Sequence, residues 1–181
     1  MMEKVEISDQ KPRWTNEEIK KMFPWATTGR TPDRPHNIIT SLDLDPHKQE
    51  VFNHKLQAKY KKIEENEVRF EEIQTEDAEY LYVAYGTSSR ICQKAVQLAR
   101  AKGIKVGLLR PITLFPFPSK RLLELSKQVK GILTVEMSAG QMIEDVKLAV
   151  QCSIPVEHYG RMGGIIPSPG EIVTALEEKF L

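Results

Sequence analysis

Two patterns of apolar and polar positions alternate through the second half of the chain. Short runs rich in β-branched and aromatic residues predict buried strands, and each is followed by apolar residues three and four positions apart, which predicts an amphipathic helix. The first unit starts with YLYVAYGTSSR at 80–90, where a strand passes through a turn into a helix. Three further units follow, so the predicted strands are 80–85, 104–109, 131–136 and 154–159, and the predicted helices are 88–101, 119–130, 138–151 and 169–180.

Residues typical of helix ends support these boundaries. SAGQ at 138–141 and SPGE at 168–171 each predict a capping box, and Gly103 suits the end of the helix before it. Strands that alternate with helices of this length predict an α/β fold of three layers, a mostly parallel sheet with helices on both faces. The alternating residues 68–73 predict a short edge strand, and one antiparallel edge strand is left open.

The chain before residue 77 follows other patterns. TNEE at 15–18 is typical of a capping box and predicts a helix of two turns that Pro24 ends, and a proline-rich loop follows. Asp45-Pro46 predicts the start of a helix that continues to about residue 66. Its apolar residues form one narrow stripe among charged ones, which predicts a helix that lies across a surface.

These patterns divide the chain into three segments. Residues 1–46 are interpreted as an irregular and partly helical extension that leads from a preceding domain. Residues 47–76 form a linker helix and an edge segment, and residues 77–181 form the α/β domain.

Composition narrows the class of protein. The 181 residues suffice for one such domain with an extension, and the formal charge of +1 argues against binding nucleic acid by overall charge. No apolar run is long enough to span a bilayer, and residues 1–13 lack the apolar region of a secretory signal. Cys92 lies within one predicted helix and Cys152 at the end of another, which indicates two buried thiols, no disulfide and a cytoplasmic location.

Candidate chemistry begins where the first predicted helix starts. Gly86, Thr87 and Ser88 offer backbone amides and hydroxyls that suit a phosphate or a carboxylate. The simpler interpretation is that a hydroxyl caps the helix, because Ser and Thr are common caps. The segment matches neither of the known glycine-rich phosphate loops, so both interpretations stay open.

The ends of the next two predicted strands carry the other polar candidates. Glu136 ends the third strand, where its carboxylate suits the amides of a helix start or a pair with Arg110 at the end of the second strand. The loop RPITLFPFP that begins at Arg110 holds three prolines, and we expect its two rings, Phe115 and Phe117, to be exposed for a protein partner.

No catalytic or metal site is predicted. The four histidines do not converge in sequence, no spacing typical of a metal site occurs, and no G-x-S-x-G elbow of a hydrolase is present. A lone carboxylate also lacks the partner that acid-base catalysis requires.

Four motifs in order, YGTSSR, LRPITLFPFP, VEMSAGQM and GRMGGIIPSPGEI, closely resemble the carboxy-terminal domain of the α subunit of 2-oxoacid:ferredoxin oxidoreductases, particularly the 2-ketoisovalerate type. WATTGR and the helical segment after it resemble the linker that precedes that domain. The resemblance covers roughly residues 25–181 and implies a fold like the transketolase carboxy-terminal domain.

Whole enzymes of that family use thiamine diphosphate, Mg, iron–sulfur clusters and coenzyme A in the oxidative decarboxylation of a 2-oxoacid. The resemblance implies that this chain alone is inactive, binds none of these cofactors and packs against β, γ and ferredoxin-like subunits, and a homodimer is left open. It suggests no catalytic residue. Gly86, Thr87, Arg110, Glu136 and Gln141 belong to the matching motifs and are expected at an interface or at the edge of the active site.

A second hypothesis belongs to another class. The chain would then be an independent module that binds a phosphate-bearing compound such as coenzyme A at the helix start near Thr87 and Ser88. A third class, the phosphoacceptor domain, is disfavoured because no acceptor Asp or acidic cluster follows the first strand.

Overall fold

The computed structural model of the chain describes residues 13–26, 32, 36–38 and 40–181. The chain divides into two compact units, Met1–Asn53 and His54–Leu181. Residues 1–12, in which no secretory signal is predicted, lie outside the described residues. Part of the proline-rich loop lies outside them as well. The predicted boundaries after residues 46 and 76 stay predictions.

The first helix of the amino-terminal unit, α1, spans Asn16–Met22 and begins with the predicted capping box. Glu18 N–H donates to Thr15 Oγ1 over 3.3 Å, and the Glu18 carboxylate accepts the Thr15 N–H over 2.7 Å. The helix ends before Pro24, as predicted. None of its residues is buried.

Helix α2 spans Pro46–Asn66, as predicted. The Asp45 carboxylate accepts the N–H of His47 over 3.0 Å and so caps the first turn. No side chain of α2 is buried, which agrees with the expectation of a helix whose narrow apolar stripe lies across a surface.

The carboxy-terminal unit has five strands, β1 Phe70–Ile73, β2 Tyr80–Ala84, β3 Val106–Pro111, β4 Gly131–Glu136 and β5 Val156–Gly160. They form one sheet in the order β1-β3-β2-β4-β5. β1 pairs antiparallel with β3, and all other pairs are parallel, so the edge strand predicted from 68–73 is present and antiparallel.

Four helices cover the two faces of this sheet: α3 Gly86–Ala101, α4 Ser119–Ser126, α5 Met142–Ala149 and α6 Pro169–Phe180. Alternation along the strands sends Tyr82 and Leu108 into one apolar cluster with α3 and α6, and Leu81 and Leu109 into a second cluster with α4 and α5. Each large apolar side chain buried in this way contributes about 1.5–3 kcal/mol. The predicted three-layer fold is confirmed.

The prediction of two buried thiols within helices is wrong for Cys152. Helix α5 ends at Ala149, and Gln151 and Cys152 follow with φ of 55° and 52°, a left-handed conformation that cannot continue the helix. Cys152 is therefore exposed, whereas Cys92 is buried in α3 and its burial raises the pKa of the thiol. In the part of the chain that the structure describes, no helix is long and apolar enough to cross a membrane.

Candidate functional site at the carboxyl edge of the sheet

The parallel strands of the sheet end along one edge, where the connections to the helices begin. From central β2 the chain passes to β3 on one side and later to β4 on the other, so the strand order reverses between β2 and β4. In open α/β sheets, ligands bind in the crevice outside the carboxyl ends of the strands at such a reversal. The candidate residues of the sequence lie along this edge.

Glu136 ends β4 and is 1% exposed. Its Oε2 accepts the backbone N–H groups of Gln141 and Met142, each over 3.0 Å, and its Oε1 accepts that of Ile143 over 3.1 Å. The hydroxyl of Ser138 donates to the same Oε2 over 3.1 Å. The carboxylate thus satisfies the first turn of α5 and opposes the positive end of the helix dipole.

The predicted capping box at 138–141 is therefore wrong. Helix α5 begins at Met142 rather than near Ser138, and the side chain of its N-cap, Gln141, makes no capping hydrogen bond. Ser138 instead accepts the N–H of Gly140 over 3.3 Å and donates to Glu136. A buried carboxylate accepts stronger hydrogen bonds than a neutral hydroxyl, and its position at the strand end lets it take the capping role.

His158 is a residue of this cluster that the sequence did not connect to Glu136. Its Nδ1 lies 3.5 Å from Oε1 of Glu136 and 3.3 Å from Oγ1 of Thr134, and its Nε2 lies 3.3 Å from the carbonyl oxygen of Ser138. Thr134 and His158 are partners in the β4–β5 register. The strand pairing, which the sequence leaves unspecified, was the missing signal.

The start of α3 differs from that of α5. The helix begins at Gly86, with φ of 56°, and its N-cap Tyr85 makes no side-chain capping hydrogen bond. The interpretation that a hydroxyl caps this helix is therefore wrong. The hydroxyl of Ser89 donates within the first turn, to the carbonyl oxygen of Gly86 over 2.8 Å.

Arg110 pairs with a residue other than the one considered from the sequence. Its Nη1 donates to the Glu71 carboxylate over 2.8 Å, across the antiparallel β1–β3 pair. A pair with Glu136 is not formed, because β2 lies between β3 and β4. Arg110 Nε is buried and has no hydrogen-bonding partner among the described residues.

The loop after β3, residues 112–118, is anchored by the side chain of Thr113. The hydroxyl of Thr113 accepts the N–H of Arg69 over 3.0 Å and donates to the carbonyl oxygen of Pro116 over 2.8 Å. Phe115 is 62% exposed, as expected, but Phe117 is half-buried against the cluster of α4 and α5. The expectation that both rings are exposed is thus wrong for Phe117, because the anchored loop turns one ring inward.

A cavity of about 700 Å³ lies between the end of α2, the loop after β3 and the start of α4. Its walls include Phe70, Phe115 and Phe117, with the charged side chains of Glu64 and Lys120 among its lining residues. The sequence did not predict it, because the cavity forms only where these distant segments meet. Within the described ranges, no group of three His, Cys, Asp or Glu side chains is arranged to hold a metal ion.

Residues 78–172 match the family model of the pyruvate:ferredoxin oxidoreductase core domain II. The chain is 51% identical over 154 residues to the ketoisovalerate oxidoreductase subunit VorB of Methanothermobacter marburgensis, an alignment that covers 85% of this chain and 43% of VorB. The chain thus spans less than half the length of this relative.

Solved structures agree on the fold. A 2-oxoglutarate:ferredoxin oxidoreductase from Magnetococcus marinus superposes with a TM-score of 0.66 at 23% identity, over 84% of this chain and 28% of that chain. A split-gene transketolase superposes with a TM-score of 0.52 at 19% identity, over 61% of this chain and 40% of that chain. The resemblance noted from the four sequence motifs and the transketolase-like fold are confirmed. With more than half of its residues matched by the domain model, the chain belongs to the family of the pyruvate:ferredoxin oxidoreductase core domain II.

Proposed function

We propose that this chain is the assembly domain of the α-type subunit of a 2-oxoacid:ferredoxin oxidoreductase that acts on 2-ketoisovalerate. In this proposal it works in the cytoplasm, packs against other domains and subunits and supplies no catalytic residue. The observation that carries the proposal is its 51% identity to VorB, which is named as a ketoisovalerate oxidoreductase subunit. VorB is more than twice as long as the matched region, so a partner surface for the remainder is expected.

Exposed apolar side chains at the carboxyl edge support the packing role. Met162, Ile165 and Ile166, in the loop after β5, are 61%, 51% and 59% exposed. Leu114 and Phe115, in the loop after β3, are 49% and 62% exposed. Each loop exposes neighbouring apolar side chains to water, which is typical of an interaction site, because their burial against a partner is favourable.

The chain's own residues do not fit an iron–sulfur cluster of such an enzyme. An iron–sulfur cluster is held by about four cysteine thiolates, whereas the chain has two cysteines, of which Cys92 is buried in the core. In our proposal, thiamine diphosphate, Mg, iron–sulfur clusters and coenzyme A are bound by other parts of the enzyme, and the chain alone is inactive. Its contribution is to hold those parts in place.

Co-expression with the remaining α-subunit segment and the β, γ and ferredoxin-like subunits tests the proposal. We expect the chain to copurify with them and the assembly to reduce viologen in the presence of 2-ketoisovalerate. Phe115→Asp places a charge on the most exposed ring of the loop after β3 and should weaken association by about tenfold or more, as for an interface anchor.

Leu148→Asp is the matched control, because Leu148 is 76% exposed near the end of α5 and belongs to neither of the two loops. This variant should assemble like the wild-type chain. Phe117→Asp is not a suitable probe, since its half-buried ring contributes to folding. Equal association of the Phe115→Asp and Leu148→Asp variants would remove the role assigned to this edge, and a wild-type chain that stays alone and inactive would contradict the proposal as a whole.

A further inference from the structure

The cavity of about 700 Å³ beside α4 lies within the carboxy-terminal unit, because all of its lining residues fall in 64–124. Its volume is within the range of roughly 300–1,000 Å³ that is typical of pockets for small molecules. The half-buried rings of Phe70 and Phe117 form part of its wall, and the buried prolines Pro116 and Pro118 line it as well. Since proline fixes φ, this apolar wall is rigid.

Arg121, a charged residue of the lining, is engaged by two carboxylates of the chain. Its Nε and Nη2 donate to the two carboxylate oxygens of Glu72 over 2.6 and 3.0 Å. Its Nη1 donates to the carboxylate of Glu124, which also lines the cavity, over 2.9 Å. The charges of Arg121 and Glu124 are therefore balanced within the chain and do not call for a ligand.

Three other charged side chains of the lining have no such partners. They are the carboxylates of Glu64 and Glu65, near the end of α2, and the ammonium group of Lys120, at the start of α4. Within the described ranges, none of the three side chains forms an ion pair or a hydrogen bond. Opposite charges thus line one cavity without meeting, although each is stabilised by a charge of the other sign. A ligand that bears both charges can satisfy both.

We propose that this cavity binds a zwitterionic α-amino acid with a large apolar side chain, such as phenylalanine. The side chain of the ligand packs against Phe70 and Phe117. Its carboxylate faces Lys120, and its ammonium group faces Glu64 and Glu65. A purely anionic ligand would meet the unpaired carboxylates and a purely cationic one the unpaired ammonium group, so one charge of each sign suits the lining best. This site goes beyond the assembly role proposed above and does not depend on it.

NMR titration of the 181-residue chain with three probes of similar shape, at constant ionic strength, tests the site. Phenylalanine carries both charges, phenethylamine lacks the carboxylate, and hydrocinnamate lacks the ammonium group. We expect saturable binding of phenylalanine and a Kd about fivefold higher for each of the other two, the upper range for an exposed charge pair. No partner subunit is present in this titration, so its outcome is separate from that of the assembly experiment.

Two variants assign each charge of the ligand to its partner. Lys120→Met should raise the Kd of phenylalanine by about fivefold, but it should not raise that of phenethylamine, which has no carboxylate to lose a contact. The double variant Glu64→Gln/Glu65→Gln should also raise the Kd of phenylalanine, but not that of hydrocinnamate, which has no ammonium group.

Lys127→Met and Glu178→Gln are the matched controls. Lys127 lies directly after α4 and Glu178 on α6, both are exposed, and neither lines the cavity. Each control removes one surface charge and should bind phenylalanine like the wild type. Folding is checked by thermal denaturation, in which Lys120→Met should melt at or above the wild-type temperature, because a positive charge is unfavourable at a helix start.

Absence of saturable phenylalanine binding to the wild-type chain would overturn the site. Equal Kd values for the three probes would reduce the binding to apolar contact and contradict the pairing of charges. Unchanged binding by Lys120→Met would place the carboxylate elsewhere. A loss for Lys127→Met as large as that for Lys120→Met would attribute the effect to overall charge.

Discussion

Helices α3 and α5 begin at the same edge of one sheet, and their first turns are completed in different ways. At α5, the buried carboxylate of Glu136 accepts three backbone N–H groups and a serine hydroxyl. At α3, the N-cap is Tyr85, which makes no side-chain capping hydrogen bond. The α5 start is occupied by the chain's own anion, while the amides of the α3 start stay available.

The difference follows from the residue at the end of each preceding strand. β4 ends in a glutamate whose side chain reaches the amides six and seven residues along the chain. β2 ends in Ala84, and Tyr85 and Gly86 after it carry no carboxylate. In two otherwise similar strand-turn-helix units, one side chain therefore decides whether the first N–H groups of the helix have an acceptor within the chain.

The largest predicted effect comes from removing the charge of Glu136 at the start of α5. Glu136→Gln keeps the shape but replaces one acceptor with an amide NH₂ group that faces donors such as the Ile143 N–H. We expect a loss of about 3 kcal/mol in the free energy of unfolding, because hydrogen bonds to a buried charged group are lost and donors are left unpaired. Urea denaturation measures this change.

Glu171→Gln is the control for that experiment, since Glu171 caps α6 at the surface and Gln can also complete a capping box. Its loss of stability should be clearly smaller than that of Glu136→Gln. Equal losses would mean that burial adds nothing to the capping role of Glu136.

A smaller effect on stability is predicted at the start of α3. Gly86 has φ of 56°, a conformation that costs a residue with a side chain about 1–2 kcal/mol although there is space for one. Gly86→Ala should therefore lower the free energy of unfolding by about 1 kcal/mol, as measured by thermal or urea denaturation.

Gly170 provides the matched position in the first turn of α6. It also has open space around it and no positive φ. Gly170→Ala should be neutral or stabilising by up to about 1 kcal/mol, because Ala has a higher helix propensity than Gly. A Gly86→Ala variant as stable as Gly170→Ala would show that the α3 start does not require the left-handed conformation.

The smallest predicted effect is the pH dependence of stability at the start of α6, where Glu171 completes a capping box. The backbone N–H of Ser168, followed by its hydroxyl, holds the pKa of Glu171 below its usual range. A carboxyl group with a lowered pKa in the folded state stabilises the fold above its unfolded pKa, and this contribution disappears as the pH falls through the folded value. The melting temperatures of wild type and Glu171→Gln should thus differ at neutral pH and converge in acid. A difference that stays constant across this range would exclude the ionised carboxylate as its cause.

Much of the fold was predictable because local patterns agree with it. Residues 46–66 and 169–180 were predicted with the observed bounds, since a proline begins each helix after a capping side chain and the apolar spacing continues to its end. Alternating strands and helices also predicted the parallel sheet. The start of α5 was missed, because Ser138, four residues before the helix, fits the sequence pattern of a capping box. That pattern alone does not show whether the helix begins there.

The sequence by itself thus determined the elements, the class of fold, the family resemblance and the residues that stand at the strand ends. The tertiary structure decided which of these residues meet. It placed β2 between Arg110 and Glu136, brought His158 to Glu136 through the β4–β5 register and turned Phe117 inward. It also left Arg110 Nε buried without a hydrogen-bonding partner among the described residues. The physical reason is that local propensity depends on neighbours along the chain, whereas hydrogen-bond partners and burial depend on strand order and helix packing between distant segments.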